Sequence, residues 1–231
     1  MNIKGFQGTS LLDFPGRISA LVFFGGCNLA CPFCHNPPLV VNPDEFPDFP
    51  ADELLAELDR RRSFIDGVVV SGGEPTLDPA LPELLREIKA LDLLVKLDTN
   101  ALLPDVLQSL IDESLVDYLA VDLKTTVERY DELHHRPVDI AALRKGLRIV
   151  LNASVEHEFR TTCVPGLVER EDILSMATEI KGARRWVLQQ FMAPHALDEN
   201  LRDIKPHPAG IIRDFADLAD ESVGEVTVRG L

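Results

Sequence analysis

Residues 20–36 read Ala-Leu-Val-Phe-Phe-Gly-Gly-Cys-Asn-Leu-Ala-Cys-Pro-Phe-Cys-His-Asn. The apolar run that opens this stretch predicts a strand buried on both faces, as parallel strands are. Cys27, Cys31 and Cys34 follow the strand with the spacing C-x3-C-x2-C. Thiolates bind soft metals and iron–sulfur clusters, and a four-iron cluster normally takes four cysteines. The stretch therefore predicts an iron–sulfur or metal site, in which one iron of a four-iron cluster would lack a protein thiolate.

A structural zinc site is the alternative interpretation of the cysteine loop, with His35 or Cys163 as the fourth ligand. Zinc sites usually join two C-x2-C units across a longer gap, and the sequence has no second unit. A disulfide framework is disfavoured, because the chain is long and three of its four cysteines lie within eight residues. The spacing favours an iron–sulfur site in a reducing compartment, and Cys163 is predicted to pack in a strand.

Outside this loop, short apolar runs alternate with amphipathic stretches. The predicted strands are Ala20–Gly25, Val68–Ser71, Leu93–Asp98, Tyr118–Leu123, Glu158–Val164, Trp186–Phe191 and Glu225–Arg229. The predicted helices are Ala51–Arg61, Leu81–Ala90, Asp105–Glu113, Ile140–Leu151, Glu171–Lys181 and Ala209–Asp220. Repeated βα units imply a parallel sheet with right-handed crossovers.

The number of these units predicts an α/β fold of the partial (β/α)6 barrel type. The 231 residues suit about six units better than the ~250 residues of an eight-unit barrel. A doubly wound open sheet is the alternative, because periodicity does not decide whether a sheet closes. We expect one domain over 1–231, with an N-terminal extension at 1–18, a barrel core at 19–192 and a C-terminal segment at 193–231.

Unusual polar or glycine-rich groups stand at the ends of the first five of these strands. In barrels and in open α/β sheets, ligands gather at the carboxyl ends of the strands. The groups are Cys27, then Gly72-Gly73-Glu74-Pro75, Asp98-Thr99-Asn100, Asp122 with Lys124, and Arg160 within the fifth strand. We therefore expect these five groups to converge on one rim.

The overall charge excludes one class of function. The chain carries 23 basic and 38 acidic residues, a net charge of −15. Phosphate backbones repel such a chain, so we expect no nucleic-acid partner. No apolar run approaches the ~18 residues of a membrane span, and the first residues do not resemble a signal peptide. We expect a cytoplasmic protein with no membrane partner.

The motifs together resemble the radical S-adenosylmethionine (SAM) superfamily. The cysteine spacing, with Phe33 before the third cysteine, and the Gly-Gly-Glu-Pro of residues 72–75 carry this resemblance. The longer string Cys-Asn-Leu-Ala-Cys-Pro-Phe-Cys-His-Asn-Pro from Cys27 resembles the branch that activates glycyl radical enzymes. Residues 5–16, Gly-Phe-Gln-Gly-Thr-Ser-Leu-Leu-Asp-Phe-Pro-Gly, look most like activating proteins of anaerobic ribonucleoside-triphosphate reductase.

This resemblance implies an oxidoreductase with a [4Fe–4S] cluster on Cys27, Cys31 and Cys34, whose open iron binds the methionine end of SAM. Reductive cleavage of SAM would give a 5′-deoxyadenosyl radical. That radical would abstract a glycine hydrogen from a partner, leaving a glycyl radical. The implied partners are a glycyl radical enzyme, expected to be anaerobic ribonucleotide reductase, and a flavodoxin- or ferredoxin-type reductant. No catalytic residue is expected beyond the cluster and SAM.

The resemblance also implies roles for the polar groups around SAM. Gly72 and Gly73 would let a backbone edge approach the methionyl amino group, with Glu74 nearby. The expected SAM-side residues at the next two strand ends are Asp98, Asn100, Asp122 and Lys124. A monovalent cation on Asp98, Thr99 and Asp122 is also expected, since hard cations take oxygen ligands and two facing aspartates would otherwise repel. The alternatives are a plain turn for the glycines and a simple ion pair for Lys124.

The remaining implied contacts lie on the later strands. Arg160 would bind the SAM carboxylate through bidentate guanidinium geometry, with a structural salt bridge as the alternative. Val164-Pro165-Gly166 resembles the adenine-side turn of the family, and Phe33 would contact the adenine. Met192 occupies the place of a ribose-contacting histidine, so Gln190 is the expected substitute.

Two rival functions are consistent with the sequence. A radical SAM enzyme that acts on a small molecule would have a sealed pocket with extra polar groups. A non-catalytic iron–sulfur or redox-sensing module would bind metal without cleaving SAM. The SAM motifs at five strand ends argue against the second rival, because a sensor would not need them.

Overall fold

A computed structural model describes residues 1–133 and 137–231; the neighbouring histidines 134 and 135, to which the sequence assigns no role, lie outside the described residues. The described chain forms two compact units. The first unit contains residues 1–28, 38–99 and 105–119, and the second contains residues 29–37, 100–104 and 120–231. The single-domain organisation stays a prediction.

Strands and helices alternate along the described residues. The strands are β1 (Ile3–Ser10), β2 (Ser19–Phe24), β3 (Gly67–Gly72), β4 (Leu94–Thr99), β5 (Tyr118–Asp122), β6 (Glu156–Cys163), β7 (Trp186–Gln190) and β8 (Val226–Arg229). The helices are α1 (Pro37–Val41), α2 (Ala51–Arg61), α3 (Leu81–Ala90), α4 (Pro104–Asp112), α5 (Ile140–Asn152), α6 (Arg170–Glu179) and α7 (Ala209–Ala219). Every predicted strand and helix is present within two residues of its predicted bounds.

In the first unit, β2, β3 and β4 are parallel neighbours in chain order. Val68 of β3 pairs with Ala20 of β2 and Val95 of β4, and all three side chains are fully buried. These apolar residues need cover on both faces of the sheet, which explains their continuous runs in the sequence. The register also places Phe24 beside Gly72, so β2 and β3 end at the same level.

Strand β1 is a feature that the sequence analysis missed. It pairs antiparallel with β2, whereas residues 1–18 were expected to be an extension without a strand. Its sequence, Ile-Lys-Gly-Phe-Gln-Gly-Thr-Ser, contains two glycines and little apolar alternation, so periodicity alone gives a weak strand signal. Tertiary pairing with the buried strand β2 supplies the stabilisation that local propensity lacks.

In the second unit, β6, β7 and β8 are parallel neighbours in chain order. Trp186 of β7 is fully buried, and its indole Nε1 donates to Thr161 Oγ1 of β6 at 2.9 Å. Helix α6 begins with a capping box, in which the Glu169 and Asp172 side chains accept each other's backbone N–H groups. The unit therefore repeats the βα pattern, and the predicted α/β class with parallel strands is confirmed.

In the described residues, no helix is long and apolar enough to cross a membrane.

A buried histidine near the start of β6 predicts how stability varies with pH. Burial lowers the pKa of His157 below its usual 6.5, and the charge of Arg184 acts in the same direction. The neutral ring is therefore the folded form, and its stabilising contribution is present above pH 6.5 and lost as the pH falls below that value. We expect the urea-unfolding free energy to fall between pH 7 and pH 5, by at most about 1.4 kcal/mol per pH unit from this residue.

His157→Gln should reduce that slope, because glutamine does not titrate and its amide can still donate to the Val155 carbonyl, which lies 3.2 Å from His157 Nδ1. An unchanged slope in His157→Gln would show that other groups cause the acid sensitivity.

Candidate functional site

The Gly-Gly-Glu segment at the end of β3 is shaped by contacts with the chain that leads into the cysteine loop. The Gly73 N–H donates to the Phe24 carbonyl and the Glu74 N–H donates to the Gly26 carbonyl, both at 2.8 Å. A Cβ on Gly73 would lie 1.9 Å from the Gly26 carbonyl oxygen. Gly72 has a φ of +118°, and a Cβ there would lie 2.3 Å from the Phe24 oxygen. Close packing against backbone atoms therefore requires glycine at both positions. The same contacts fix the backbone of Gly26, which is the residue before Cys27.

Glu74 is a buried acceptor in the same unit. Its Oε1 accepts hydrogen bonds from the Thr76 backbone N–H at 3.1 Å, the Thr76 hydroxyl at 2.5 Å and the Thr99 hydroxyl at 2.8 Å. Its side chain thereby links the end of β3 to the end of β4. Thr99, predicted as a cation ligand, donates its hydroxyl proton to this carboxylate.

Asp98 has partners that the sequence analysis did not assign. Its Oδ2 accepts from Ser71 Oγ at 3.1 Å, and its Oδ1 pairs with the ammonium of Lys96. The Lys96 side chain is only 1% exposed, so this pair is an internal one. Lys96 and Asp98 are two residues apart on one strand, so their side chains face the same side of the sheet. This spacing was the sequence signal that could have predicted the pair.

The three loop cysteines are reduced thiols that differ in exposure. Cys27, in the first unit, is half-buried and lies 3.9 Å from Asn28 Oδ1. In the second unit, Cys31 is buried, Cys34 is half-buried, and the Cys34 N–H donates to the Cys31 carbonyl at 2.9 Å. Phe33 between them is also buried. Burial raises the pKa of Cys31 to about 11, against the opposing charge of Lys124, and burial likewise raises the pKa of Cys34.

The donor set fits an iron–sulfur cluster better than a hard cation, since three thiols in one short loop are soft ligands. Over residues 1–133 and 137–231, no three His, Cys, Asp or Glu side chains already stand together as a metal site. The assignment therefore rests on thiol chemistry and on the spacing of the loop, and not on preformed coordination geometry.

A charged cluster of Asp122, Lys124 and Arg160 joins the carboxyl end of β5 to the middle of β6 in the second unit. Asp122 Oδ1 accepts from Arg160 Nε, and its Oδ2 accepts from Lys124 Nζ, each at 2.9 Å. The backbone supports the same arrangement, since the Leu123 N–H donates to the Arg160 carbonyl at 2.9 Å. We call these three residues the charged cluster. Their formal charges sum to +1, which suits an anionic ligand group.

The charged cluster holds Asp122 ionised. Burial opposes its ionisation, but the nearby charges of Arg160 and Lys124 outweigh burial and hold the pKa of Asp122 well below its usual range. For Lys124, burial likewise opposes the charge, and Asp122 outweighs it and raises the pKa. The structural salt bridge considered for Arg160 is therefore present.

The expected monovalent cation has no support in these contacts. Asp98 already pairs with Lys96, and Asp122 pairs with two cations of the charged cluster. Each aspartate therefore has a cationic protein side chain beside it within its own unit. The monovalent cation on Asp98, Thr99 and Asp122 therefore stays a prediction.

Two other residues that were predicted to contact SAM, Asn100 and Gln190, form hydrogen bonds with backbone groups. Asn100 is buried, and its Oδ1 accepts from the Leu102 N–H at 3.0 Å, which shapes the turn before α4. Gln190 donates through Nε2 to the His207 carbonyl at 2.9 Å and accepts the Phe191 N–H at 3.2 Å. These bonds use one of the two amide donors and one acceptor site of Gln190, so its contact to the ribose stays a prediction.

The sequence analysis also missed Arg129 and Tyr130, which lie on a short 3-10 helix, Val127–Leu133. Tyr130 is fully buried, and its hydroxyl accepts the Lys124 backbone N–H at 2.9 Å. Arg129 donates to the carbonyls of Gly166 and Leu167. Neither residue belongs to a spacing motif, so only the tertiary contacts reveal them.

Comparison with known proteins agrees with these observations. A family model described as the Radical SAM superfamily matches residues 21–178. A Methanocaldococcus jannaschii protein named as a glycyl-radical enzyme activating enzyme is 30% identical over 98% of this chain and 95% of its own length. The pyruvate formate-lyase-activating enzyme of Clostridium pasteurianum is 29% identical over 88% of this chain and 90% of its own length.

Solved structures support the fold. The crystal structure of Streptococcus suis SuiB bound to S-adenosylmethionine matches with a TM-score of 0.68 and 17% identity, over 87% of this chain and 48% of that one. At this identity the likeness concerns the fold alone, and this chain spans about half the length of SuiB. The predicted α/β fold is consistent with a partial barrel of this type.

Proposed function

This chain belongs to the radical SAM superfamily, in the branch of glycyl-radical enzyme activating enzymes, and we propose that it installs a glycyl radical on anaerobic ribonucleoside-triphosphate reductase. The observation that carries the activase part is the near full-length similarity to the M. jannaschii protein, which leaves neither chain with a large unmatched region. The choice of reductase is supported by residues 5–16, which resemble activating proteins of that enzyme.

The proposal gives the cysteine loop the role of cluster ligand. Cys27, Cys31 and Cys34 would hold the [4Fe–4S] cluster, and their buried or half-buried positions would restrict water there. When bound, the cluster and SAM would supply the radical chemistry that abstracts a hydrogen atom from the partner's glycine. The chain's own residues would bind, orient and shield these groups.

The charged cluster would receive the SAM carboxylate. Asp122 fixes the side chains of Arg160 and Lys124, and the net charge of +1 complements a carboxylate. Gly72–Glu74 would hold the loop entrance at Gly26 and face the methionyl amino group. Phe33 and the Val164–Gly166 turn would lie on the adenine side, and Gln190 is the proposed contact to the ribose.

The test is electron paramagnetic resonance on a complete reaction. The protein would be reconstituted anoxically with iron and sulfide, reduced by a flavodoxin- or ferredoxin-type donor, and mixed with SAM and each candidate partner. We expect a glycyl doublet on anaerobic ribonucleotide reductase and none on pyruvate formate-lyase. A partner variant with its radical glycine changed to alanine is the matched control and should give no doublet.

The other outcomes are equally informative. A doublet on pyruvate formate-lyase alone would retain the activase and replace the proposed partner. Accumulation of 5′-deoxyadenosine with no doublet on either protein would favour a small-molecule substrate. Full cluster loading without any SAM cleavage would refute the proposed function and favour the sensing module.

A further inference from the structure

The turn that follows β6, Val164–Val168, has a defined shape. The Leu167 and Val168 N–H groups donate to the Val164 carbonyl at 3.1 and 2.9 Å. Gly166 has a φ of +84°, a conformation that favours glycine. The turn begins four residues after Arg160, at the carboxyl end of β6, where parallel α/β folds bind ligands. Its position therefore shapes the surface that this strand end offers to a ligand.

Arg129 holds the tip of this turn. Its Nη2 donates to the Gly166 carbonyl at 2.8 Å, and its Nη1 donates to the Leu167 carbonyl at 3.2 Å. The Thr125 hydroxyl donates to the same Leu167 carbonyl at 2.7 Å. Two successive carbonyls of the turn are thereby directed toward the segment that follows β5.

The guanidinium of Arg129 is itself fixed by two carboxylates. Its Nε and Nη2 donate to the two oxygens of Glu132 at 3.0 and 2.8 Å. Its Nη1 donates to both oxygens of Asp172 at 3.1 and 3.0 Å. Asp172 also accepts the Glu169 N–H at 2.9 Å, one residue after the turn. A planar guanidinium can reach all these acceptors at once, whereas a lysine ammonium cannot.

The residue after Arg129 connects the same segment to the charged cluster. Tyr130 accepts the backbone N–H of Lys124 at 2.9 Å, and Lys124 in turn pairs with Asp122. One short 3-10 helix therefore contacts both the turn and the charged cluster. Arg129 lies on the side of the turn and Tyr130 on the side of the cluster.

We propose that Arg129 is a positioning residue that holds the Val164–Val168 turn in place relative to the charged cluster, so that SAM affinity depends on it. Arg129 acts through the turn and does not touch SAM. The effect on SAM rests on the proposed function, whereas the effect on the turn rests on the hydrogen bonds alone. The two effects are therefore tested by separate measurements.

Hydrogen exchange tests the effect on the turn, using the full chain without ligand. We expect the Leu167 and Val168 amides to exchange at least about tenfold faster in Arg129→Gln and Arg129→Lys, because the turn loses its outer support. Arg86→Gln is the matched control, since it removes an arginine–carboxylate pair, with Glu113, that lies within the first unit. It should leave both amides unchanged. Exchange within twofold of wild type in the Arg129 variants would overturn the proposal.

SAM cleavage by the reconstituted, reduced protein tests the effect on the ligand. We expect Arg129→Lys to raise the KM for SAM about tenfold while kcat at saturating SAM stays within about threefold, the pattern of lost binding without lost chemistry. Arg129→Lys keeps a cation between Glu132 and Asp172, so it remains informative if Arg129→Gln fails to fold. An unchanged KM, or a fall in kcat alone, would overturn the positioning role. If the wild type cleaves no SAM, the proposed function fails, and hydrogen exchange still decides whether Arg129 holds the turn.

Discussion

Replacing Cys31 with alanine is expected to lower SAM cleavage by about a thousandfold or more, because the cluster would supply the electron and would not assemble without this proposed ligand. Cys31 is the most buried of the three loop cysteines, and its backbone carbonyl also receives the Cys34 N–H. Cys27→Ala and Cys34→Ala should behave alike if all three thiolates are ligands. Iron content after reconstitution and 5′-deoxyadenosine formation are the two measurements.

Cys163→Ala is the matched control for that series. Cys163 is fully buried at the end of β6, and burial raises the pKa of its thiol to about 12. A packing role predicts normal iron loading in Cys163→Ala, with at most a modest loss of stability. Loss of iron in this variant would bring back the alternative in which Cys163 is a fourth ligand. Full loading of any loop-cysteine variant would remove that cysteine from the proposed ligand set.

Replacing Gly73 with alanine is expected to have the largest effect on stability. The added Cβ would lie 1.9 Å from the Gly26 carbonyl oxygen, which is backbone and cannot rotate away. Overpacking of this kind costs about 3 kcal/mol, equivalent to roughly 10 °C in the melting temperature of a chain of this size. Any relief by backbone movement would displace Gly26, next to Cys27, so iron loading should fall as well.

Gly210→Ala is the control for Gly73→Ala. Gly210 lies in helix α7, and a Cβ there would meet nothing within 4 Å. Alanine is favoured over glycine inside a helix, so this variant should be as stable as wild type or slightly more so. The measurements are thermal unfolding of both variants and their iron content. A Gly73→Ala protein that melts with the wild type and loads iron normally would contradict the packing role assigned to Gly73.

The sequence carried most of the local structure because each element has its own repeated signal. Strands such as β3, with three consecutive valines, are apolar along their length, and helices such as α3 place apolar residues on one face. These signals need no knowledge of neighbouring elements. The sequence analysis missed β1 because its pairing with β2, and not its own residue pattern, makes it a strand.

The candidate site divides in the same way. The cysteine spacing and the Gly-Gly-Glu-Pro segment identified the family, since both are contiguous in the sequence and both carry specific chemistry. The sequence did not show why glycines are required in this segment. It depends on Gly73 meeting Gly26, which is 47 positions away along the chain and becomes adjacent only because β2 and β3 pair in parallel.

The residues that support the site were decided only by tertiary structure. Lys96 was hidden within an apolar strand, where its partner Asp98 lies on the same face. Arg129 reaches a turn 37 residues further along the chain and holds two of its carbonyls. Local periodicity reports how one segment buries its own apolar surface, so the sequence determined the βα elements and the chemistry of the loop. Hydrogen bonds and ion pairs between distant segments follow no such period, so the packed chain alone decided which side chains support that chemistry.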